Sequence, residues 1–119
     1  MKVAVLGASQ NTEKYSHLAV MLLKSKGHEV YPINPSLEDI EGIRCYPSLQ
    51  AIPEKMHTVS VYLSKEVSSK IGADLLKAAP SRIIFNPGAE NEALEEKARA
   101  QGIQVLEACT LVMLKTGQF

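Results

Sequence analysis

Near the start of the chain, three consecutive small residues form a sequence that is typical of an anion-binding turn. Gly7, Ala8 and Ser9 follow a short apolar run, and a helical pattern begins a few residues later. The first amides of a helix lack partners within it and form the positive end of its dipole, so they attract anions. Gly7 permits a sharp turn, Ala8 is small enough to let a pyrophosphate approach the backbone, and Ser9 adds a hydroxyl donor. Lys14 and Ser16, beside the predicted helix start, add a positive charge and a second hydroxyl.

Two interpretations of this turn remain open at the level of its residues. Any doubly wound sheet needs a tight turn here, with or without a ligand. The turn also departs from the dinucleotide fingerprint, because no G-x-x-G continuation follows Gly7. A nicotinamide site usually ends its second strand in Asp or Glu, whereas Asn34 stands at that position and Glu29 lies at the other end of the strand. NAD is therefore disfavoured.

A cysteine and a Pro-Gly turn offer further candidates for chemistry. Cys109 follows the last predicted strand, where its thiolate could form a mixed disulfide, although a free cysteine is more often a small buried apolar residue. Glu90 and Asn91 follow the turn Asn86-Pro87-Gly88 at a predicted helix start, where both residue types can cap the helix or bind a ligand. The two roles are compatible, since a turn that faces a ligand must also be capped.

The sequence contains no familiar catalytic set. No Ser-His-Asp set, paired-carboxylate pattern or G-x-S-x-G motif occurs, so an enzymatic activity of the chain itself is not indicated. His17, His28 and His57 are isolated from other metal-ligating residues, which predicts that there is no metal site. His17 is expected to point away from the apolar face of its helix, into solvent.

Apolar patterns predict the strands that position these residues. Nearly continuous apolar runs are typical of strands that are covered on both faces of a parallel sheet. Such runs predict strands at residues 2–6, 28–33, 58–63, 82–85 and 103–106, with a shorter strand near 44–46.

Residues at helical spacing predict the helices between these strands. The first helix ends at Gly27 and has an apolar stripe that consists of Tyr15, Leu18, Ala19, Leu22 and Leu23. Ser64 is expected to cap the second helix, in which Val67, Ile71 and Leu75 recur every four residues. A third helix is predicted over 90–101, with single helical turns at 48–51 and 109–115.

The alternation of strands and helices predicts an α/β fold, a Rossmann-like three-layer sandwich with a mostly parallel five-stranded sheet. Ligands of such sheets bind beyond the carboxyl ends of the strands, at the point where the strand order reverses. The site is therefore expected in the loops at 7–16, 34–42, 63–64, 85–91 and 107–110.

Composition narrows the classes of function. The 119 residues suit a single domain over 1–119, and 45% apolar and 22% charged residues are ordinary for a globular protein. Thirteen basic side chains balance thirteen acidic ones, and only four tyrosines and two phenylalanines could stack on bases, which argues against nucleic acid. No segment approaches the ~20 apolar residues of a membrane span. Two distant cysteines favour a reducing, cytoplasmic compartment.

Several modest motifs follow one another along the chain in a specific order. They are Val3–Ser9, Lys14-Tyr15-Ser16, Val30–Pro35, Ile40-Glu41-Gly42, Tyr46–Leu49, Ile52-Pro53, Phe85–Asn91 and Ala108-Cys109-Thr110. Together they resemble the CoA-binding domain family over essentially the whole chain. That family includes small stand-alone proteins and the N-terminal domains of the succinyl-CoA synthetase α subunit and of acyl-CoA ligases. The chain is similar to the stand-alone kind, without the phosphohistidine and nucleotide-grasp parts of the ligases.

The resemblance implies a site for coenzyme A or acyl-CoA. It implies a pyrophosphate held by Gly7, Ala8 and Ser9 beside Lys14, Tyr15 and Ser16, an adenosine flanked by Asn34 and Pro35, a groove lined by Leu63 and Ser64, and a pantetheine arm near Asn86, Pro87, Gly88, Glu90, Asn91 and Cys109. In the ligase relatives a lysine commonly follows the Asn-Pro pair. Ser36 stands there in this chain, so the partner of the 3′-phosphate is unassigned.

Three functions follow as expectations. The first is a CoA-binding or acyl-CoA-binding protein without catalysis of its own, which acts alone, as a homodimer or with another protein. The second is an enzyme or redox partner that acts on a CoA thioester or disulfide through Cys109. The third is an NAD(P)-binding oxidoreductase, which the missing acidic residue at the second strand end disfavours.

Overall fold

Short apolar strands form a five-stranded, entirely parallel sheet in the computed structural model, which describes residues 1–119. The strands are β1 (Lys2–Leu6), β2 (Glu29–Ile33), β5 (Thr58–Val61), β6 (Arg82–Phe85) and β7 (Gln104–Glu107), in the order β2-β1-β5-β6-β7. A separate antiparallel hairpin consists of β3 (Asp39–Ile40) and β4 (Ile43–Arg44). The predicted α/β architecture is confirmed.

Helices cover both faces of the sheet. They are α1 (Tyr15–Ser25), α2 (Lys65–Lys70), α3 (Gly72–Ala78), α4 (Glu92–Ala100) and α5 (Thr110–Lys115), with a 3₁₀ turn at Leu49–Ala51. Alternate residues of β1 point to opposite faces, so Val3 and Val5 pack with α1 and α5, while Ala4 and Leu6 pack with α3 and α4. None of the helices combines the length and apolar content that a membrane crossing requires.

The predicted second helix and the predicted short strand differ from the observed elements. The helix that Ser64 caps ends at Lys70, and a second helix follows, because Ile71 leaves helical geometry with ψ at 8°. The chain then passes close to α4, where a Cβ on Gly72 would lie 3.0 Å from Leu94 Cδ1. The short strand predicted near 44–46 ends at Arg44, and Tyr46 instead forms an isolated bridge with Ile33.

The buried face of α1 differs from the predicted apolar stripe. The stripe member Tyr15 is 62% exposed and Leu18 is 41% exposed. The buried residues of this helix are Ser16, His17, Ala19, Val20 and Leu23. The prediction that His17 points into solvent is wrong, because the imidazole is 4% exposed and hydrogen bonds to the loop before the helix. The buried face of α1 therefore includes Ser16 and His17, which a stripe of apolar residues does not contain.

Gly7 is the glycine that the fold requires most strictly. Its φ is +91°, and a Cβ there would lie 2.9 Å from Leu63 Cδ2 and 3.0 Å from the carbonyl oxygen of Tyr62. Gly27 has a similar φ of +86°, yet a Cβ on Gly27 would meet nothing within 4 Å. A side chain at either position would strain the backbone, but only a side chain at position 7 would also overlap with neighbouring atoms.

We expect Gly7→Ala to destabilise the fold by more than Gly27→Ala. Left-handed strain costs each variant about 1–2 kcal/mol, and overlap adds about 1–3 kcal/mol for Gly7→Ala. The measurement is urea denaturation of both variants and the wild type. Equal losses in the two variants would contradict the steric argument.

Candidate functional site

The strand order reverses between β1 and β5, which creates a crevice at their carboxyl ends. The chain runs from β1 outward to β2 and then returns to pair β5 on the other side of β1. Loops that leave adjacent strands in opposite directions open a space between them, and ligands of open α/β sheets bind there. Gly7 and Leu63, at the two strand ends, both line this space.

The loop after β1 is held by hydrogen bonds from several sides. The amides of Gly7 and Ala8 both donate to the carbonyl of Ile33, at 3.2 and 3.1 Å. The side-chain amide of Asn34 donates to the carbonyl of Ala8 at 2.8 Å. The Ser9 hydroxyl accepts a hydrogen bond from the amide of Asn11 at 3.0 Å. The turn is thus fixed by the end of β2 and by its own side chains.

Six backbone N–H groups around this loop have no acceptor in the protein. They belong to Ser9, Gln10 and Thr12 in the loop and to Tyr15, Ser16 and His17 at the start of α1. Helix α1 has no side-chain cap and no acidic residue in its first turn, and Lys14 occupies its N-cap position. The free donors and the lysine make this end of the helix favourable for an anion.

Two grooves meet at Gly7. The polar groove has a volume of about 430 Å³ and is lined by Gly7, Ser9, Glu13, Lys14, Tyr15, Ser16 and Tyr62. The apolar cleft has a volume of about 340 Å³ and is lined by residues that include Gly7, Asn34, Pro35, Leu63, Val67, Ile71 and Asp74. Most of the residues predicted for the pyrophosphate therefore lie on one side of the turn, and those predicted for the adenosine lie on the other.

Two predicted residues contribute to this region through the backbone or a cap. Ala8 is fully buried, so its small side chain lies beneath the loop. Ser64 caps α2 by accepting a hydrogen bond from the amide of Val67 at 3.3 Å, as the sequence predicts. Ser64 thereby fixes the start of α2, the helix that contributes Val67 to the lining of the apolar cleft.

The predicted turn at 86–91 lies outside both grooves. Asn86 is buried, donates to the Ser60 hydroxyl and the Val61 carbonyl, each at 2.9 Å, and accepts from the Thr110 amide at 2.8 Å. Its side chain therefore ties β5, β6 and α5 together. Contact between this turn and a pantetheine arm stays a prediction.

The remaining residues of this turn form local structure. Asn91 caps α4 by accepting from the Leu94 amide at 3.2 Å, and its amide group donates to the Ser68 hydroxyl at 2.8 Å. Glu90 accepts from the amide of Gly88 at 3.0 Å, while Pro87 and Gly88 are exposed. The helix-capping role considered for Asn91 is confirmed, whereas Glu90 hydrogen bonds within the turn and does not cap the helix.

Cys109 and Tyr62 lie near each other beyond the strand ends. Cys109 is half-buried immediately before α5 and has a free thiol. The hydroxyl of Tyr62 is buried near those of Thr110 and Ser60 without completing a hydrogen bond. Burial raises the pKa of Tyr62 to about 12, so the phenol is neutral at physiological pH. Thiol chemistry at Cys109 stays a prediction.

Sequence reasoning missed several residues of the site. His17 contacts the carbonyl of Ser9, Tyr62 lines the polar groove, and Val67, Ile71 and Asp74 line the apolar cleft. Tyr62 was missed because the predicted strand extended to residue 63, whereas β5 ends at Val61 and Tyr62 follows it directly, where ligands of such sheets bind. No three His, Cys, Asp or Glu side chains lie close enough together to hold a metal ion.

Comparison with known proteins identifies the family of the chain. The family model for the CoA binding domain matches residues 1–115. The chain belongs to the CoA-binding domain family. The match includes β1 and its turn, the residues that line both grooves, and all of α5.

Curated relatives of this CoA-binding domain differ widely in length. The uncharacterized protein YneT of Bacillus subtilis is 23% identical over 88% of this chain and 78% of its own length. The ADP-forming acetate–CoA ligase II of Archaeoglobus fulgidus is 27% identical over 96% of this chain, which spans only 19% of that ligase. The matched region is therefore a small part of the ligase.

Solved structures share the fold of this CoA-binding domain. An uncharacterized protein has a TM-score of 0.93 and 38% identity, with 99% of this chain and 97% of that chain covered. The dinucleotide-forming acetyl-coenzyme A synthetase 1 of Ca. Korarchaeum cryptofilum, solved with phosphate and ADP, has a TM-score of 0.76 and 29% identity. The match covers 90% of this chain and 25% of the synthetase.

The carboxyl group of Glu107 at the end of β7 lies near that of Glu95 on α4. Glu95 is 2% exposed, accepts from the amide of Asn91 at 3.0 Å and lies 3.5 Å from the Arg99 guanidinium. Hydrogen bonding to Glu95 and the charge of Glu95 raise the pKa of Glu107 above its ordinary 4.5. A raised pKa means that the fold favours the protonated Glu107.

We expect the stability that protonated Glu107 provides to be complete below pH 4.5 and to be lost as pH rises through its higher folded-state pKa. Glu107→Gln keeps a neutral side chain at all pH values, so it should raise stability at pH 7 and flatten the pH dependence. The measurement is urea denaturation from pH 4 to pH 8, with the exposed Glu96→Gln as the matched control. Parallel pH profiles for wild type and Glu107→Gln would contradict the argument that the charge of Glu95 disfavours the ionised form of Glu107.

Proposed function

We propose that the protein binds coenzyme A or acyl-CoA without catalysing a reaction by itself, and that the pyrophosphate lies at the start of α1. The observation that carries the proposal is the group of free amides at Ser9, Gln10, Tyr15 and Ser16. Helices α2 and α4 have side-chain caps and acidic first turns, whereas α1 has neither. A bound phosphate would supply the negative charge and the acceptors that this helix lacks.

The two grooves suit the two ends of such a ligand. The cleft beside Asn34, Pro35 and Leu63 is predominantly apolar, and the flat faces of an adenine ring bury well there. The polar groove beside Lys14 and Tyr62 continues on the other side of Gly7. In this proposal the adenosine occupies the cleft, and the pantetheine arm leaves along the polar groove towards Cys109 and the turn at 86–91.

The names of the relatives support a nucleotide ligand of this class. The ligase from Archaeoglobus fulgidus is a CoA ligase, and the synthetase structure contains phosphate and ADP. Because this chain matches only a small part of each, their complete reactions are not assigned to it. The separate free cysteines support a reducing, cytoplasmic setting. A homodimer or a second protein remains the expected route to any further activity.

Calorimetric titration tests the proposal with a charge placed at the predicted pyrophosphate site. We expect the wild type to bind CoA and Ser9→Asp to weaken binding by at least about tenfold, because two like charges at contact distance repel by several kcal/mol. Aspartate can still accept the hydrogen bond that the Ser9 hydroxyl receives from Asn11, so the loop should persist. The matched control is Ser81→Asp, which is exposed and precedes β6 at the opposite edge of the sheet.

The other ligands of the titration separate the alternatives. Acetyl-CoA, 3′-dephospho-CoA, ADP and NAD(H) are compared under reducing conditions. Equal affinity for CoA and 3′-dephospho-CoA would show that Ser36 leaves the 3′-phosphate without a partner. Binding of NAD(H) without CoA would overturn the proposal in favour of an oxidoreductase, and equal CoA affinity in Ser9→Asp would move the pyrophosphate away from this turn.

A further inference from the structure

His17 is a buried polar residue that the proposed ligand does not need to touch. Its ring is 4% exposed, and its Nδ1 lies 2.8 Å from the carbonyl oxygen of Ser9. A carbonyl oxygen only accepts, so the hydrogen bond requires that Nδ1 carry the proton. The other ring nitrogen lies 3.8 Å from a carboxylate oxygen of Glu41, beyond hydrogen-bond distance.

The hydrogen bond from His17 fixes the orientation of a whole peptide group. A trans peptide is planar, and its N–H points opposite to its carbonyl. When His17 holds the carbonyl of Ser9, the N–H of Gln10 must point the other way. That N–H is one of the amides without an acceptor in the protein.

The preceding peptide follows the same rule. Asn34 donates to the carbonyl of Ala8 at 2.8 Å, and the N–H of the same peptide belongs to Ser9, which also has no acceptor. Two consecutive carbonyls are thus held by side-chain donors, and both partner amides are left free. Without these donors either peptide could rotate and present a carbonyl oxygen, which repels a phosphate, in place of its N–H.

We infer that His17 is a positioning residue that presents the Gln10 amide to a phosphate, while Asn34 does the same for the Ser9 amide. The inference rests on the proposed function, because it assumes that a phosphate binds at this loop. His17 itself contacts the loop from the protein side, and its role is to set the direction of one donor.

NMR spectroscopy of the ¹⁵N-labelled protein, titrated with ADP, tests the inference at single amides. In the wild type we expect the amide protons of both Ser9 and Gln10 to shift on binding. His17→Leu removes the donor and should abolish the Gln10 shift, keep the Ser9 shift, and weaken ADP binding by about tenfold to a hundredfold, as for one hydrogen bond to a charged group. Asn34→Leu should abolish the Ser9 shift and keep the Gln10 shift.

A conservative variant separates positioning from packing. His17→Asn can place its side-chain N–H close to the position of the imidazole Nδ1–H, so it should recover the Gln10 shift and most of the ADP affinity. Equal loss in His17→Asn and His17→Leu, or loss of both amide shifts in either, would show that the ring only fills space and would overturn the inference. Wild-type affinity in His17→Leu would do the same.

Ligand binding by the wild type distinguishes a failure of the proposed function from a failure of the inference about His17. If the wild type binds neither ADP nor CoA, the proposed function fails and the inference fails with it. If the wild type binds ADP and His17→Leu binds it equally, only the positioning role of His17 is overturned. The ring ¹⁵N shifts of the free protein add a ligand-independent check, since a proton on Nε2 instead of Nδ1 would contradict the inference.

Discussion

The chain must turn from β1 into α1 beside the end of β5, where there is no room for a Cβ atom. Gly7 meets this constraint with a positive φ and a backbone that lies against Tyr62 and Leu63. The same approach brings the amides of Gly7 and Ala8 onto the carbonyl of Ile33, so that β1, β2 and β5 fix the turn together. The position of α1, the free amides at its start and the division into two grooves all depend on this packing.

Electrostatics and hydrogen bonding then separate this helix start from those of α2, α4 and α5. Ser64 and Asn91 satisfy orphan amides of α2 and α4, and Asn86 satisfies the first amide of α5. Uncapped amides are costly where water is excluded, so proteins usually supply a side-chain acceptor. The first turn of α1 is left without one and carries Lys14 at its N-cap. This contrast within one chain is stronger support for an anion ligand than the glycine turn alone.

The strands and the parallel α/β architecture were accessible from the sequence, whereas the polar contacts were not. Buried parallel strands such as β1 and β6 are nearly continuous apolar runs, which local pattern detects directly. The burial of His17 depends on a carbonyl eight residues earlier in the chain, and a stripe of apolar residues contains no information about that partner. Tyr15 and Leu18 were placed on the buried face for the same reason, and both are exposed.

The turn at 86–91 shows how a family motif can have a structural origin. The side chain of Asn86, directly after β6, hydrogen bonds to residues of β5 and α5. The side chain of Asn91 joins the start of α4 to α2 through Ser68. Leaving these buried partners unpaired would cost about 1–3 kcal/mol for each polar group, which is enough to constrain the residues without any ligand. The turn after β1 differs, because the carbonyls of Ala8 and Ser9 are hydrogen bonded while the amides of Ser9 and Gln10 are not. Of the two motifs that suggest the same site, the one with unsatisfied donors is therefore the better indicator of where a ligand binds.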